Sequence, residues 1–157
     1  MADFGFAYDI PGGSTADMAV TTAAANAVLN HIFGYAPVLT PPENYYLGLS
    51  RTPISPEGIG ITEPIGGAYE RVVLPNDKNT FSSAANRTIQ LTKEFRFPRP
   101  TAAWGNITHY FISDAPTGGS IWYCGKLAAP RNVESATSLI VKPDSIKLSL
   151  VSSSLAV

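Results

Sequence analysis

A chain of 157 residues suits a single domain, and a domain of that size buries about 70% of the surface its unfolded chain would expose. It therefore needs neither disulfides nor a metal to fold, and its single cysteine, Cys124, excludes an intrachain disulfide framework. Charged residues make up only 15%, scattered as 11 basic and 12 acidic side chains with a net charge of −1. Phosphate-driven nucleic-acid binding leaves a clustered basic footprint, which is absent here.

So few charges leave little to cover a solvated surface, and part of that surface is expected to lie against partners. Thirteen Gly and 13 Pro imply many turns and little room for long helices. Residues 1–14 have neither the basic start nor the continuous apolar run of a signal peptide. No apolar run approaches the ~18 residues of a membrane span, so a soluble protein made in the cytoplasm is expected, with no membrane or nucleic-acid partner.

In chain order, residues 1–14 are aromatic and glycine-rich without periodicity: Phe4, Phe6, Tyr8 and Ile10, then Pro11-Gly12-Gly13. Two readings are open. One is an arm that docks on a neighbour; the other is an N-terminal strand on the chain's own sheet. The pattern then predicts a helix over 15–33, capped by Ser14 or Thr15 with Asp17 in its first turn. Val20, Ala24, Val28 and Ile32, with Leu29 and Phe33, make one apolar stripe, and Gly34 ends it.

After Pro41-Pro42 the period changes to two. Strands are predicted at 45–50, 69–74, 88–91, 94–97, 108–112, 121–127, 138–141 and 146–151. Pro- or Gly-bearing turns punctuate them, including Gly66-Gly67, Gly118-Gly119 and Pro130. This predicts a mostly β fold, an antiparallel sandwich or jelly-roll-like domain over 15–151 with one N-terminal helix, and a short tail at 152–157.

Candidate chemistry is sparse. His31 falls near the helix end and His109 within a strand, where both read as structural. Cys124 with His109 is the only nucleophile and base pair, and Trp122-Tyr123-Cys124-Gly125 reads as a buried strand instead. Two histidines and one cysteine do not supply the three or four clustered ligands of a metal site. Glu63 with Glu70 is the only carboxylate pair to set against glycosidic chemistry. The aromatic side chains suit core or interface, with sugar stacking as a lesser use. Asn86 and Asn106 head glycosylation sequons that matter only on a secreted route. No catalytic residue, metal or cofactor is expected.

From the helix end Val28-Leu29-Asn30-His31-Ile32-Phe33-Gly34 onward, an ordered series of motifs stands out. It runs through Tyr45-Tyr46-Leu47-Gly48-Leu49-Ser50, a turn from Gly58 to Glu63, and Gly66-Gly67-Ala68-Tyr69-Glu70-Arg71-Val72. It continues with Phe95-Arg96-Phe97-Pro98, Trp104-Gly105-Asn106-Ile107-Thr108-His109, Ile112-Ser113-Asp114-Ala115 before Gly118-Gly119, and Tyr123-Cys124-Gly125-Lys126-Leu127. The series resembles a family of small tailed-phage structural proteins, described as tail-fibre, minor tail or virion structural proteins. The resemblance covers roughly residues 25–151 and brings no catalytic residues with it.

It implies a virion protein that acts through oligomeric contacts with other virion proteins, on the tail as a baseplate or fibre-associated piece. A capsid decoration protein and a module binding host-surface glycan are the alternatives. The motif residues Gly66, Gly67, Tyr69, Arg71, Trp104, Gly105, Asp114, Gly118 and Gly119 are expected to shape the fold, and Phe4, Phe6, Tyr8 and Ile10 to form an interface arm.

Overall fold

Short apolar runs between turn residues form strands because a two-residue period buries one face of each run. In the computed structural model, which describes residues 7–9 and 17–150, ten strands and one helix result. They are β1 (Ala7–Asp9), β2 (Asp17–Val20), α1 (Thr22–Ile32), β3 (Asn44–Ser50), β4 (Val72–Pro75) and β5 (Thr88–Gln90). β6 (Phe95–Arg96), β7 (Gly105–Ser113), β8 (Ile121–Val133), β9 (Ser138–Val141) and β10 (Lys147–Ser149) follow. The expectation of a mostly β fold with one helix holds.

One sheet of seven strands runs β4-β3-β7-β8-β2-β10-β5, and a second of three runs β1-β9-β6. Pairing is antiparallel except where β10 lies beside β2 and where β1 lies beside β9. The sheets share one core. Leu47, Leu49, Ile107, Tyr110 and Ile112 enter it from the larger sheet, and Leu139 and Val141 enter from β9.

The other face of the large sheet is covered by chain from the segment 51–71 and by α1. Cys124 Sγ donates to the Ser55 carbonyl at 3.7 Å. Thr22 N–H donates to the Pro56 carbonyl at 3.0 Å.

The helix differs from its prediction. It begins at Thr22, not at residue 15, and its cap is Thr21, not Ser14 or Thr15. Residues 17–20 continue the helical spacing of apolar positions, but they pair as β2 between β8 and β10. Met18 is thereby wholly buried in the core, and that burial outweighs the weak helix preference of a four-residue run.

Thr21 then does two jobs. Its Oγ1 accepts from Ala24 N–H at 3.3 Å and donates to the Ile121 carbonyl at 2.7 Å. Thr21→Ala is expected to lower stability by about 1–2 kcal/mol, read as a shift of the urea midpoint. At the other end Gly34 takes φ +78° and Tyr35 N–H donates to the Asn30 carbonyl at 2.8 Å, closing the helix as expected.

Pro130 is not a turn. It lies inside β8, which runs on to Val133. Ile107 pairs with Arg131 and His109 with Lys126, so Thr108 alone faces Leu127 to Pro130. A bulge of this kind is where a strand accommodates proline, which has no N–H for the ladder.

Of the two readings for residues 1–14, the backbone of residues 7–9 follows the second, pairing with Ser138–Ile140 of its own chain. Phe4, Phe6 and Ile10, like the tail at 152–157, lie outside the described residues.

Candidate functional site

The motif residues come together at one place, where the segment 62–71 crosses the turn between β7 and β8. At its centre is Arg71, whose side chain is only 4% exposed. Its Nε and Nη2 donate to the two oxygens of Glu63 at 3.0 and 2.7 Å, a bidentate pair. Its Nη1 donates to the carbonyls of Ala115 at 2.8 Å and Gly118 at 2.9 Å. The guanidinium also sits 4.9 Å from the centre of the Phe111 ring, a cation–π contact.

Tyr69 extends the network into the core. Its hydroxyl donates to Glu63 Oε1 at 2.7 Å and accepts from Leu49 N–H at 2.9 Å. Burial drives this phenol well above its ordinary pKa, so it keeps the proton it donates. The ring meets Trp104 edge to face at 5.2 Å.

Trp104, almost wholly buried, donates its Nε1–H to the Gly67 carbonyl at 2.8 Å. Gly67 takes φ +59°, and a Cβ there would lie 2.9 Å from the Ala102 carbonyl oxygen. Only glycine meets both demands. Gly66 and Gly105 also take positive φ, at the turn within this segment that leads to Tyr69 and at the start of β7.

The turn is built on the same lines. Asp114 Oδ1 accepts from Ser120 N–H at 2.8 Å, and its Oδ2 accepts from Trp122 Nε1 at 3.3 Å. Ser113 Oγ accepts from Ala115 N–H and donates to the Gly118 carbonyl. Gly119 has φ +77°, and a Cβ there would lie 2.7 Å from Asp114 Oδ1. Arg71 thus locks the turn to the segment 62–71.

Sequence reasoning did not find Glu63 as the partner of Arg71, nor Phe111, nor Gly48 beneath that ring. Gly48 had a signal, because a glycine between two buried leucines marks a close approach.

The candidates for chemistry are occupied elsewhere. Both Glu63 oxygens are committed to Arg71 and Tyr69, while Glu70 is exposed. His109 Nδ1 lies 2.7 Å from Thr108 Oγ1. Burial, then the Lys126 charge, pushes its pKa below the ordinary value. His31 is an exposed side chain in the last turn of α1.

Burial pushes the Cys124 thiol up, away from the thiolate that a nucleophile needs. Its alkylation by iodoacetamide at pH 8 is expected to be at least about 10-fold slower in the native protein than in urea; equal rates would contradict the burial argument. Among the described residues no group of three or more His, Cys, Asp or Glu is placed to hold a metal ion. No helix among them is long and apolar enough to cross a membrane.

Residues 19–149 match the family described as Podophage GP4 fiber I protein gp80. The chain belongs to this tailed-phage tail-fibre family. The match opens inside β2 and closes with the last residue of β10, so it spans α1, all of the seven-stranded sheet but the first half of β2, and every motif residue above. No curated protein matches the chain.

This fibre-family domain leaves an apolar segment in solvent. Of its nine exposed large hydrophobic side chains among the described residues, five lie in one short stretch: Leu29, Ile32, Phe33, Tyr35 and Val38, each 53–70% exposed. The predicted stripe on α1 is therefore real as a pattern but does not face the core, where only Ala24 of the helix is buried. A separate depression of about 550 Å³ lies over the segment 62–71, where Tyr46 and Ile65 line it together with Glu63, Tyr69, Glu70 and Arg71, so the two carboxylates weighed in the sequence do share one hollow.

Proposed function

We propose that this chain is a non-enzymatic, fibre-associated component of the phage tail that works by contact with other virion proteins and with further copies of itself. The single observation that carries this is the solvent-facing apolar segment Leu29–Val38 on a domain of a tail-fibre family. A patch of that kind on a soluble domain marks an interaction surface. The polar motif residues support the same reading, since the hydrogen bonds of Glu63, Arg71, Tyr69 and Asp114 hold loops together.

Low charge suits a protein packed among neighbours. The word fibre in the family's description favours the tail over a capsid-decorating role. Self-association is tested by light scattering on the full-length chain. A defined multiple of 16.7 kDa is expected, and a single-chain mass at every concentration would overturn the contact between copies.

A host-glycan role, the other candidate, would have to use the depression beside Tyr46. Glycan-array binding that Tyr46→Ala abolishes would favour it over the contact reading.

A further inference from the structure

We infer that the mouth of the curled seven-stranded sheet is a binding site for a methylated ammonium group, the head of a choline-like ligand. This goes beyond the contact role proposed above and does not depend on it.

β3 stands second from one end of that sheet, and β5 forms the other end. Tyr45 of β3 and Ile89 of β5 nevertheless line one pocket, with Ile112 of β7, Tyr123 of β8 and Leu148 of β10 between them. The sheet therefore curls enough for both ends to face one space, the kind of mouth in which barrels hold small ligands. Ile112, 2% exposed, is the floor, and the other four are half-buried walls. The space is about 190 Å³, a little more than the roughly 150 Å³ that takes up benzene. An ammonium head carrying three methyl groups is of that size.

The rings select the ligand. Tyr45, Phe81 and Tyr123 all line the space. Tyr45 meets Phe81 at 90° with centres 6.1 Å apart, so the two rings form adjoining walls and not a stack. Trp122 stands edge to face against Tyr45, also at 6.1 Å, and its Nε1 donates to Asp114 Oδ2 at 3.3 Å. An aromatic box draws a cation through the ring quadrupoles, and the carboxylate behind it adds to the pull. That charge reaches the pocket: after burial itself, it is what raises the Tyr45 phenol.

Among the described residues no Lys or Arg lines the space to repel a cation. The aliphatic walls suit methyl groups, whereas a bare ammonium, or a sugar with its many hydroxyls, would lose hydrogen bonds there. Asn76, held by its Nδ2 on the Pro42 carbonyl at 2.9 Å, is the exposed polar group of the lining and suits the alcohol end of choline.

The test is an NMR titration of the full-length chain with choline and with its uncharged carbon isostere, neohexyl alcohol. Choline should shift the Trp122 indole N–H saturably, with a dissociation constant in the millimolar range or below. Trp104, packed against Tyr69 and Phe97, should not move. The isostere has the same shape without the charge and should bind at least about 10-fold more weakly. Phe81→Leu keeps an apolar wall and removes a ring, so it should weaken choline at least about 5-fold and leave the isostere unaffected.

No saturable shift with choline, or an isostere that binds as tightly, would overturn the site. Unchanged choline affinity in a folded Phe81→Leu would overturn it as well. If that variant does not fold, the two ligands on wild type decide alone. Phosphorylcholine separates the sources: affinity equal to choline supports the head group of a lipid or polymer, and weaker binding supports a free amine.

Discussion

Replacing Gly48 with alanine should destabilise the protein by about 3 kcal/mol, at the upper end of what one extra methyl does in a packed interior. For a domain of this size that is a fall of roughly 10 °C in melting temperature. The glycine is in the middle of β3, opposite Phe111 on β7, and the end of the Phe111 ring fills the space a side chain would occupy. A Cβ at position 48 would be 2.3 Å from Phe111 Cζ and under 3.0 Å from two further ring atoms.

The ring has no easy retreat, because it is wholly buried and the Arg71 guanidinium sits 4.9 Å from its centre. Gly66→Ala and Gly118→Ala offer the contrast. Their φ values are positive, +73° and +60°, but no atom lies within 4 Å of the added methyl. Each should cost about 1 kcal/mol, the strain of a left-handed alanine alone. Smaller neighbours should rescue Gly48→Ala: combined with Phe111→Leu it should lose less than the sum of the two single changes, measured as a double-mutant cycle. Strict additivity would contradict the contact.

Arg71→Met should cost about 2–3 kcal/mol, below the scale of a fully buried pair because the Glu63 side chain is 26% exposed. The side chain makes two bonds to Glu63, two to main-chain carbonyls and a contact to the Phe111 ring. Methionine fills most of the volume and supplies none of the donors, leaving the Glu63 carboxylate with the Tyr69 hydroxyl and the solvent that reaches it.

Lysine keeps the charge but cannot form the planar fork, so Arg71→Lys should recover less than half of the loss. The effect should also be local. Hydrogen exchange in the 113–120 turn should rise in Arg71→Met relative to a variant equally destabilised elsewhere, such as Gly48→Ala. Unchanged protection of that turn would show that Arg71 does not hold it.

Much of the fold is legible from punctuation and period. The Pro and Gly clusters bound the eight predicted strands, and all eight occur, with ends displaced by up to three residues except in β8, which runs six residues past its predicted end. What misleads is periodicity that two elements share. Val20 continues the spacing of Ala24 and Val28, so the helix extends on paper through residues that pair with β8 and β10. Nothing local in Asp17–Val20 reveals partners more than a hundred residues away.

Pro130 misleads in the opposite way, since a proline signals a turn unless a bulge receives it. At the motif site the residue types are readable and the pairings are not. Arg71 is evident as a lone cation in an apolar stretch, but its partners Glu63, Ala115 and Gly118 are fixed only once β4, β3 and β7 have assembled. The face of α1 is the third case. An apolar stripe reads the same whether it meets the chain's own core or another molecule, and only burial tells the two apart.

The placement of the protein in the particle is tested most directly by gold-labelled antibody against the full-length chain, applied to intact virions and imaged by electron microscopy. A fibre-associated component should label at the tail, repeatedly and at the same position from particle to particle. Label spread over the capsid shell, or none on particles that demonstrably contain the protein's peptides, would contradict a fibre-associated position on the tail.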